Sequence, residues 1–416
     1  MISHIKKLLP ICRSITGAGT LQTIKYFKKI NPSFKIISFK SNKKVFDWKV
    51  PLEWNIKNAY IEHVKTKKIF ADFSKCNLHV VNYSYKINKI LSFSELKKKI
   101  YCLPKQPTAI PYITSYYKKD WGFCMSYNQL KKMPKGNYKV VIKSEHKIGR
   151  MYLSEAFLKG RQKKEIFFSS YICHPSMANN ELSGPVLLNE IINYVKKIKS
   201  RYYSYRFVLL PETIGSIAYI YKNKKKLKNI FCGFNLSCVG DERSYSLIQN
   251  QNENCISSRA IKIALMNNKK LKIYSHLDRG SDERQYCNPN INLPLSGFCK
   301  SKYGTFPEYH TSLDNLNLVT QKGLDQSFTV FKNIINIFEK TTFPKNKIFC
   351  EPKLDKYNIY PKISSKNNNK KFAKNILNFL AYCDGKRNIF EILEIIKLPA
   401  KDGLEIINFC KDKKFI

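Results

Sequence analysis

Glu165-Ile-Phe-Phe-Ser-Ser-Tyr-Ile-Cys-His174-Pro-Ser-Met-Ala-Asn-Asn180-Glu181-Leu-Ser-Gly184-Pro185 decides how this chain reads. A run of strand length, Glu165 to Ser170, gives way to a long polar loop. Apolar residues then recur at Leu187, Leu188, Ile191, Ile192 and Val195, the spacing of one helix face. Pro185 suits the first turn of that helix, where a missing N–H leaves nothing unsatisfied. The same alternation extends outward on both sides. Upstream, the pattern predicts a helix around Leu21 to Ile30 and strands at Lys35 to Phe39, Tyr138 to Ile142 and Met151 to Leu158. Downstream come strands Tyr205 to Leu210 and Ile230 to Leu236, a short helix after Gly215, and a helix from Asp325 to Lys340. Strands alternating with helices predict an α/β fold, a mixed and mostly parallel sheet flanked by helices.

Two stretches depart from that rhythm. From Val45 to about Pro134 short apolar-polar alternations such as Asn77-Leu-His-Val-Val-Asn-Tyr-Ser-Tyr85 predict an inserted small, mostly β domain over 46–135. The α/β domain is thereby assigned 1–45 and 136–345. After Pro344, Ser364 to Lys371 reads as a loop, and helical patterns follow at Phe372 to Tyr382, Ile389 to Ile396 and Asp402 to Cys410. Joined at Asp384-Gly385 and Leu398-Pro399, they resemble a helix-turn-helix or winged-helix core, a domain over 350–416. No internal repeat is visible.

Composition narrows the class. Hydrophobic residues at 43% and aromatics at 13% supply a sizeable core and exclude a disordered or fibrous chain. No run approaches the ~18 apolar residues of a membrane span, and the N-terminus lacks the apolar core of a signal peptide, so the cytoplasm is the expected location. The formal charge of +44 ordinarily points to a polyanion. Here the excess is mostly Lys dispersed along the chain, which reads as a solvated basic surface instead of a nucleic-acid footprint. The 13 cysteines form no Cys-x-x-Cys pair and read as reduced, mostly buried thiols.

Ligands of an open parallel sheet bind beyond the carboxyl ends of its strands. Four loops there carry a His or a carboxylate: His174 to Glu181, Pro211-Glu212-Thr-Ile-Gly-Ser216, Ser237-Cys-Val-Gly-Asp241, and Phe306-Pro-Glu308-Tyr309-His310-Thr-Ser-Leu-Asp314. Converging His, Glu and Asp side chains are what a catalytic Zn²⁺ takes, with one position left to water. Each has an ordinary reading too. A His before Pro is commonly satisfied by hydrogen bonds, and a Glu opening a helix serves the helix dipole.

Several strings go further: Cys12-Arg-Ser-Ile-Thr-Gly17, Val45-Phe-Asp-Trp48 with Val50-Pro-Leu-Glu-Trp-Asn55, Asn77-Leu-His79, Trp121-Gly-Phe-Cys124, Cys173-His-Pro-Ser176, Pro211-Glu-Thr-Ile-Gly-Ser216, Asp282-Glu-Arg-Gln-Tyr286 and Glu308-Tyr-His-Thr-Ser312. Together they resemble a bacterial aminopeptidase-like family, common in surface-polysaccharide gene clusters, that looks like a distant branch of the co-catalytic zinc exopeptidases. The resemblance covers nearly the whole chain. It implies a zinc-exopeptidase-like α/β domain with an inserted β domain and a C-terminal winged helix, and zinc, one or two ions, as cofactor. It makes His174 a ligand of one zinc and His310 of the other. Glu212 stands where such enzymes carry a general base and a metal ligand side by side; here there is one Glu, beside Thr213, so Glu212 is left as base or ligand. Asp241 is the implied carboxylate of the first zinc, with Ser237 the alternative in a loose register. Asp282, Arg284 and Tyr309 are implied to bind substrate, Arg284 by receiving a carboxylate; the ordinary reading of Asp282 to Arg284 is a local ion-pair cluster.

One departure bears on the metal count. The family pattern Ala-Asn-Asp-Asn-x-Ser-Gly is here Ala178-Asn-Asn180-Glu181-Leu-Ser-Gly184, with Asn180 at the position of the metal-bridging Asp. A neutral amide does not offset two cations ~4 Å apart. Glu181, one step along, is expected to point elsewhere. The outcomes are a single zinc, a weakened pair, or an inactive scaffold.

The leading expectation is a zinc-dependent aminopeptidase-like hydrolase acting on an amide bond in a small peptide or aminoacyl-modified glycan precursor, in surface polysaccharide biosynthesis. The alternative is a non-catalytic binding or assembly protein on the same scaffold. A DNA-binding regulator ranks last, because Ile389 to Ile396 is apolar or acidic and offers no face to a groove. No membrane span is expected, and a homo-oligomer is left open. Phe46, Trp48 and Trp54 are expected in core packing before a substrate wall, and His79 as a satisfied core histidine.

Overall fold

The structure, a computed structural model, describes residues 1–357, 359 and 368–416. Its frame is an eight-stranded mixed sheet of β1 (Phe34–Lys40), β2 (Arg150–Leu158), β3 (Glu165–Tyr171), β4 (Ser204–Leu210), β5 (Ile230–Leu236), β6 (Tyr245–Ile248), β7 (Leu271–Tyr274) and β8 (Leu295–Cys299). They lie in the order β1-β2-β4-β3-β5-β8-β6-β7. The central four, β4, β3, β5 and β8, run parallel. On one side β2 pairs antiparallel with β4 and β1 antiparallel with β2, and on the other β6 pairs antiparallel with β8.

β3 and β4 are buried at every residue, as strands covered on both faces must be. Successive side chains point to opposite faces. Phe168 therefore enters one core with Leu187, Ile191 and Phe331, while Phe167 enters another with Val208, Ile217 and Tyr219. The first core is covered by the helix Ala18–Ile30, by α1 (Ser183–Lys197) and by α3 (Gln321–Lys340); the second lies under α2 (Ile214–Leu227).

The small antiparallel sheet takes strands Ile69–Phe70, Glu53–His63, Asn137–Lys147 and Ile87–Ser92, in that order. The strand expected at Tyr138 to Ile142 belongs here and not to the large sheet, so the small unit extends past residue 135, through Lys147. Its alternation suited either sheet. Pairing with Glu53–His63 puts Tyr138, Val140 and Ile142 into the small core beside Ala59, Ile61 and Phe70.

Helices Asn368–Tyr382, Ile389–Ile395 and Ala400–Asp412 close the chain. Of the loop read over Ser364 to Lys371, the part before residue 368 lies outside the described residues, and the rest opens the first of these helices. The three do not stand apart. Phe390 packs edge-on to Phe338 of α3 at 4.9 Å, Ile376, Phe379 and Ile407 join the same core as the sheet, and Arg259 bridges Glu391 (3.0 Å) and Glu394 (3.1 Å). Among the described residues no helix is long and apolar enough to cross a membrane.

Candidate functional site

The carboxyl ends of β3 and β4 open onto a cavity of about 320 Å³, and His174, Glu212 and His310 form its polar wall. Each arrives on constrained backbone. β3 leads to Cys173-His174 and then to a wide π turn, Ala178–Leu182, that opens α1. β4 leads to Glu212 and to Thr213, whose φ of 64° is left-handed. His310 sits at φ 55°. Such conformations are costly for residues with a Cβ and persist only where neighbours impose them. At Thr213 the imposing group is Asp282, whose Oδ1 accepts from the Thr213 N–H and the Ser216 hydroxyl, both at 2.7 Å. At His310 it is the Tyr112 N–H, which donates to the His310 carbonyl at 2.7 Å.

The ring of His174 is held from behind. Its Nδ1 lies 2.9 Å from Glu181 Oε2, and a carboxylate there makes Nδ1 the protonated nitrogen. Nε2 is left with its lone pair, 3.8 Å from Glu212 Oε2. Glu181 in turn pairs at 3.5 Å with Arg13, and both side chains are wholly buried. Arg13 also donates from Nε to the His174 carbonyl at 2.9 Å and from Nη1 to the Leu8 carbonyl at 2.7 Å. His310 lies across the cavity with ring centroids 5.3 Å apart, stacked on Tyr309 at 3.9 Å. Tyr112 stands 5.0 and 5.1 Å from the two rings. The Nε2 of His310 is buried and has no hydrogen-bond partner among the described residues.

Electrostatics follow from burial. Burial and then the Arg13 charge push His174 down to about 3, and burial and then His174 do the same to His310. Both imidazoles are neutral near pH 7, the state that binds a metal. Glu212 is pushed up to about 8, by burial and then by Asp282. Asp282 rises to about 7 through burial, against the hydrogen bonds from Ser216 and Thr213, and its Oδ2 has no partner among the described residues.

The chemistry of this donor set suits one divalent ion, although its three ligand atoms do not all lie within 4.8 Å of one another and would have to close on it. A buried imidazole nitrogen without a partner, a second whose ring is fixed by a carboxylate behind it, and a neighbouring carboxylate are the donors of a site with two His and one Glu. A second ion is poorly provided for. The Oδ1 of Asn180 accepts from the Tyr171 hydroxyl at 2.8 Å. Asp241 holds loops together: its oxygens accept from the N–H groups of Arg243 and Ser301, the Ser301 hydroxyl and the Asn179 amide at 2.9 to 3.1 Å. Neither residue lines the cavity. Ser237, the alternative to Asp241, is buried with its hydroxyl 3.5 Å from Cys299 Sγ. Cys173, His174 and Glu181 also lie within ligand reach of one another, but Arg13 already supplies the cation beside Glu181.

Of the residues singled out from sequence, His174, Glu212 and His310 meet at the cavity, and Asp282 and Tyr309 support them from behind. Arg284 is exposed and donates to the Thr213 hydroxyl (2.9 Å) and the Ser281 carbonyl (3.0 Å). No ion pair joins it to Asp282 or Glu283 among the described residues; Glu283 accepts from Asn235 and from backbone N–H groups instead. Glu181 does not line the cavity, but it is not idle: the π turn sets its side chain behind His174, on Nδ1. Phe46 and Trp48, both expected in the core, are 43% and 39% exposed, Phe46 edge-on to Tyr221 and Trp48 lining the cavity mouth. Trp54 is buried with Nε1 bonded to the Ser84 carbonyl at 2.9 Å, and His79 is buried against the Cys124 carbonyl, as expected. Arg13, Tyr112 and Asp314 carried no assigned role. Arg13 lay inside a recognised string, whereas nothing local marks Tyr112, which arrives from the inserted unit.

A family model described as a domain of unknown function, DUF4910, matches residues 2–341. The chain belongs to the DUF4910 family. A winged helix-turn-helix model matches 342–416 after the DUF4910 region. A Clostridium acetobutylicum protein named for polysaccharide biosynthesis and an aminopeptidase-like domain is 40% identical over 358 residues, 86% of this chain and 82% of that one. A crystal structure of a protein from the same organism, described as a peptidase, superposes with TM-score 0.90 at 35% identity, covering 99% of this chain and 94% of the other. The zinc aminopeptidase of Bacillus subtilis shares the fold of this DUF4910 chain at TM-score 0.56 and 13% identity, over 80% of this chain and 93% of its own.

Proposed function

We propose that this protein is a metal-assisted hydrolase of an amide bond, acting on a precursor in surface polysaccharide biosynthesis. The polysaccharide context rests on the named Clostridium relative. The observation that carries the chemistry is the unpartnered, buried Nε2 of His310 beside His174 and Glu212. His174 Nε2, His310 Nε2 and one Glu212 oxygen would hold a single zinc ion. When bound, the ion supplies polarisation of a carbonyl and acidification of a water. The remaining work falls to the chain. Glu212 takes a proton from the attacking water and returns it to the leaving nitrogen, while Asp282 fixes the Thr213 turn that aims it. Glu181 holds the His174 tautomer, and Tyr112 and Ile15 exclude bulk water from one wall. Hydrolase fold, zinc and a cytoplasmic setting form one consistent reading.

A second reading, a binding scaffold without turnover, is favoured by the commitments of Asn180 and Asp241, which leave a second ion without carboxylates. Metal content decides between them. Protein purified without chelator or tag-derived metal is expected to carry about one zinc per chain, lost in His310→Ala. Protein that takes up no zinc even when supplied with it overturns the hydrolase reading.

A further inference from the structure

We propose that the cavity admits a neutral N-acylated amino sugar, its ring laid against Trp48 and Tyr117, in preference to a peptide with a free N-terminus. This inference rests on the hydrolase reading and names its substrate class.

The charge inventory of the wall comes first. Among the described residues lining the cavity, Glu212 is the only carboxylate, and none carries a fixed positive charge. A free α-ammonium beside the scissile amide needs an anionic or multiply accepting seat, and Glu212 already serves metal and proton. The other buried carboxylates do not line the cavity: Glu181 is set on Arg13 and His174, and Asp282, though its Oδ2 has no partner among the described residues, is held behind the wall by Thr213 and Ser216. Asp314 binds the N–H groups of Asn179 (2.6 Å) and Asn180 (2.8 Å), Asp241 binds four donors, and Glu283 accepts from Asn235 at 2.8 Å. A chain of formal charge +44 adds a long-range field unfavourable to a cationic substrate. The carboxylate end of a short peptide fares no better, because the nearby Arg284 is already tied to Thr213 and Ser281.

The mouth supplies what a ring needs. Trp48 (39% exposed) and Tyr117 (53% exposed) meet edge-on at 5.6 Å where the inserted unit overhangs the cavity. Tyr117 is held there at φ 63°, a strained conformation for an aromatic residue. Large flat aromatic surfaces on a pocket rim favour the apolar face of a ring, and neutral hydroxyls orient it. Hydroxyls with acceptor capacity left line the same wall: those of Tyr112 and Tyr116 bond to each other at 3.0 Å, Tyr116 also reaches Asn82 (3.3 Å), Thr213 accepts from Arg284, and Thr114 stands beside them. At about 320 Å³ the cavity lies at the small end of enclosed ligand sites, room for one acylated monosaccharide. In the reaction a water oxygen bonds to the acyl carbon, the C–N bond breaks, and the proton held by Glu212 passes to nitrogen, giving a carboxylic acid and a free amino sugar.

The test uses zinc-loaded full-length protein, with N-acetylglucosamine, N-acetylgalactosamine and N-acetylmannosamine as one set of probes and leucinamide with leucine p-nitroanilide as the other. Binding is read by calorimetry and turnover by released acetate or nitroaniline. At least one N-acetyl sugar is expected to bind at least tenfold tighter than leucinamide. Trp48→Ala is expected to weaken that binding about tenfold and Trp48→Phe to restore most of it, with unchanged melting temperatures. Tighter binding of leucinamide, no binding of any sugar, or sugar binding indifferent to Trp48→Ala overturns the proposal. Sugar binding sensitive to Trp48 but without acetate release supports this substrate assignment while sinking the hydrolase reading, so the two failures are distinct.

Discussion

Replacing Glu181 by Gln keeps the shape of the side chain and removes its charge, which strands a cation in the interior. Arg13 and Glu181 are both fully buried, and among the described residues Glu181 is the only acidic partner within ion-pair distance of that guanidinium. Breaking a buried pair on one side leaves an uncompensated charge, a loss of about 3–5 kcal/mol. For a chain of this size each kcal/mol moves the melting temperature by roughly 2 °C, so Glu181→Gln should melt roughly 6–10 °C below the parent. A second effect is separable from the first. The amide can donate to Nδ1 as well as accept from it, so His174 loses its fixed tautomer and zinc affinity should fall about 10–100-fold. Arg13→Met in the Glu181→Gln background removes the stranded charge and should recover much of the stability but none of the zinc affinity. Calorimetric melts of apo protein and zinc titrations of the parent, the single variants and the double variant provide the assay. A Glu181→Gln variant melting within roughly 1–2 °C of the parent, with unchanged zinc affinity, would refute both the ion pair and the orienting role.

Asn180→Asp should raise zinc from about one to about two ions per chain by elemental analysis, and without zinc should lower the melting temperature, because the new carboxylate is buried beside the Tyr171 hydroxyl. Zinc binding should tighten as pH rises to about 8 and then level off: Glu212, raised to about 8, must lose its proton to act as a ligand, whereas the histidines, near 3, titrate far below this range. Titrations at pH 6, 7, 8 and 9 check it, and a flat profile over 6 to 8 excludes Glu212 from the ligand set. DNA binding at physiological salt should be weak and indifferent to sequence. The last helix buries Gly403, Ile406, Ile407 and Cys410 and exposes a mixed set, Lys401, Glu405, Lys411 and Asp412. A duplex bound specifically in gel-shift assays would contradict that.

Sequence periodicity by itself determined the αβ alternation, the inserted β unit and the three closing helices, because periods of 2 and 3.6 are local properties of a chain with one buried face. It also marked the loops that carry His174, Glu212 and His310, since polar residues after buried strands have few places to go. Tertiary structure alone decided which carboxylates serve the site. Asp241 and Glu181 are both acidic residues in post-strand loops; one is turned to hold loop backbone and the other onto His174 by a single added residue in a turn. The strand at 137–147 and the Trp48 ring were equally undetermined, since alternation does not name a strand's partner and an aromatic residue fits a core as well as a cavity wall. Pairing, side-chain direction and the sharing of hydrogen bonds depend on residues far apart in the chain, and no local pattern encodes them.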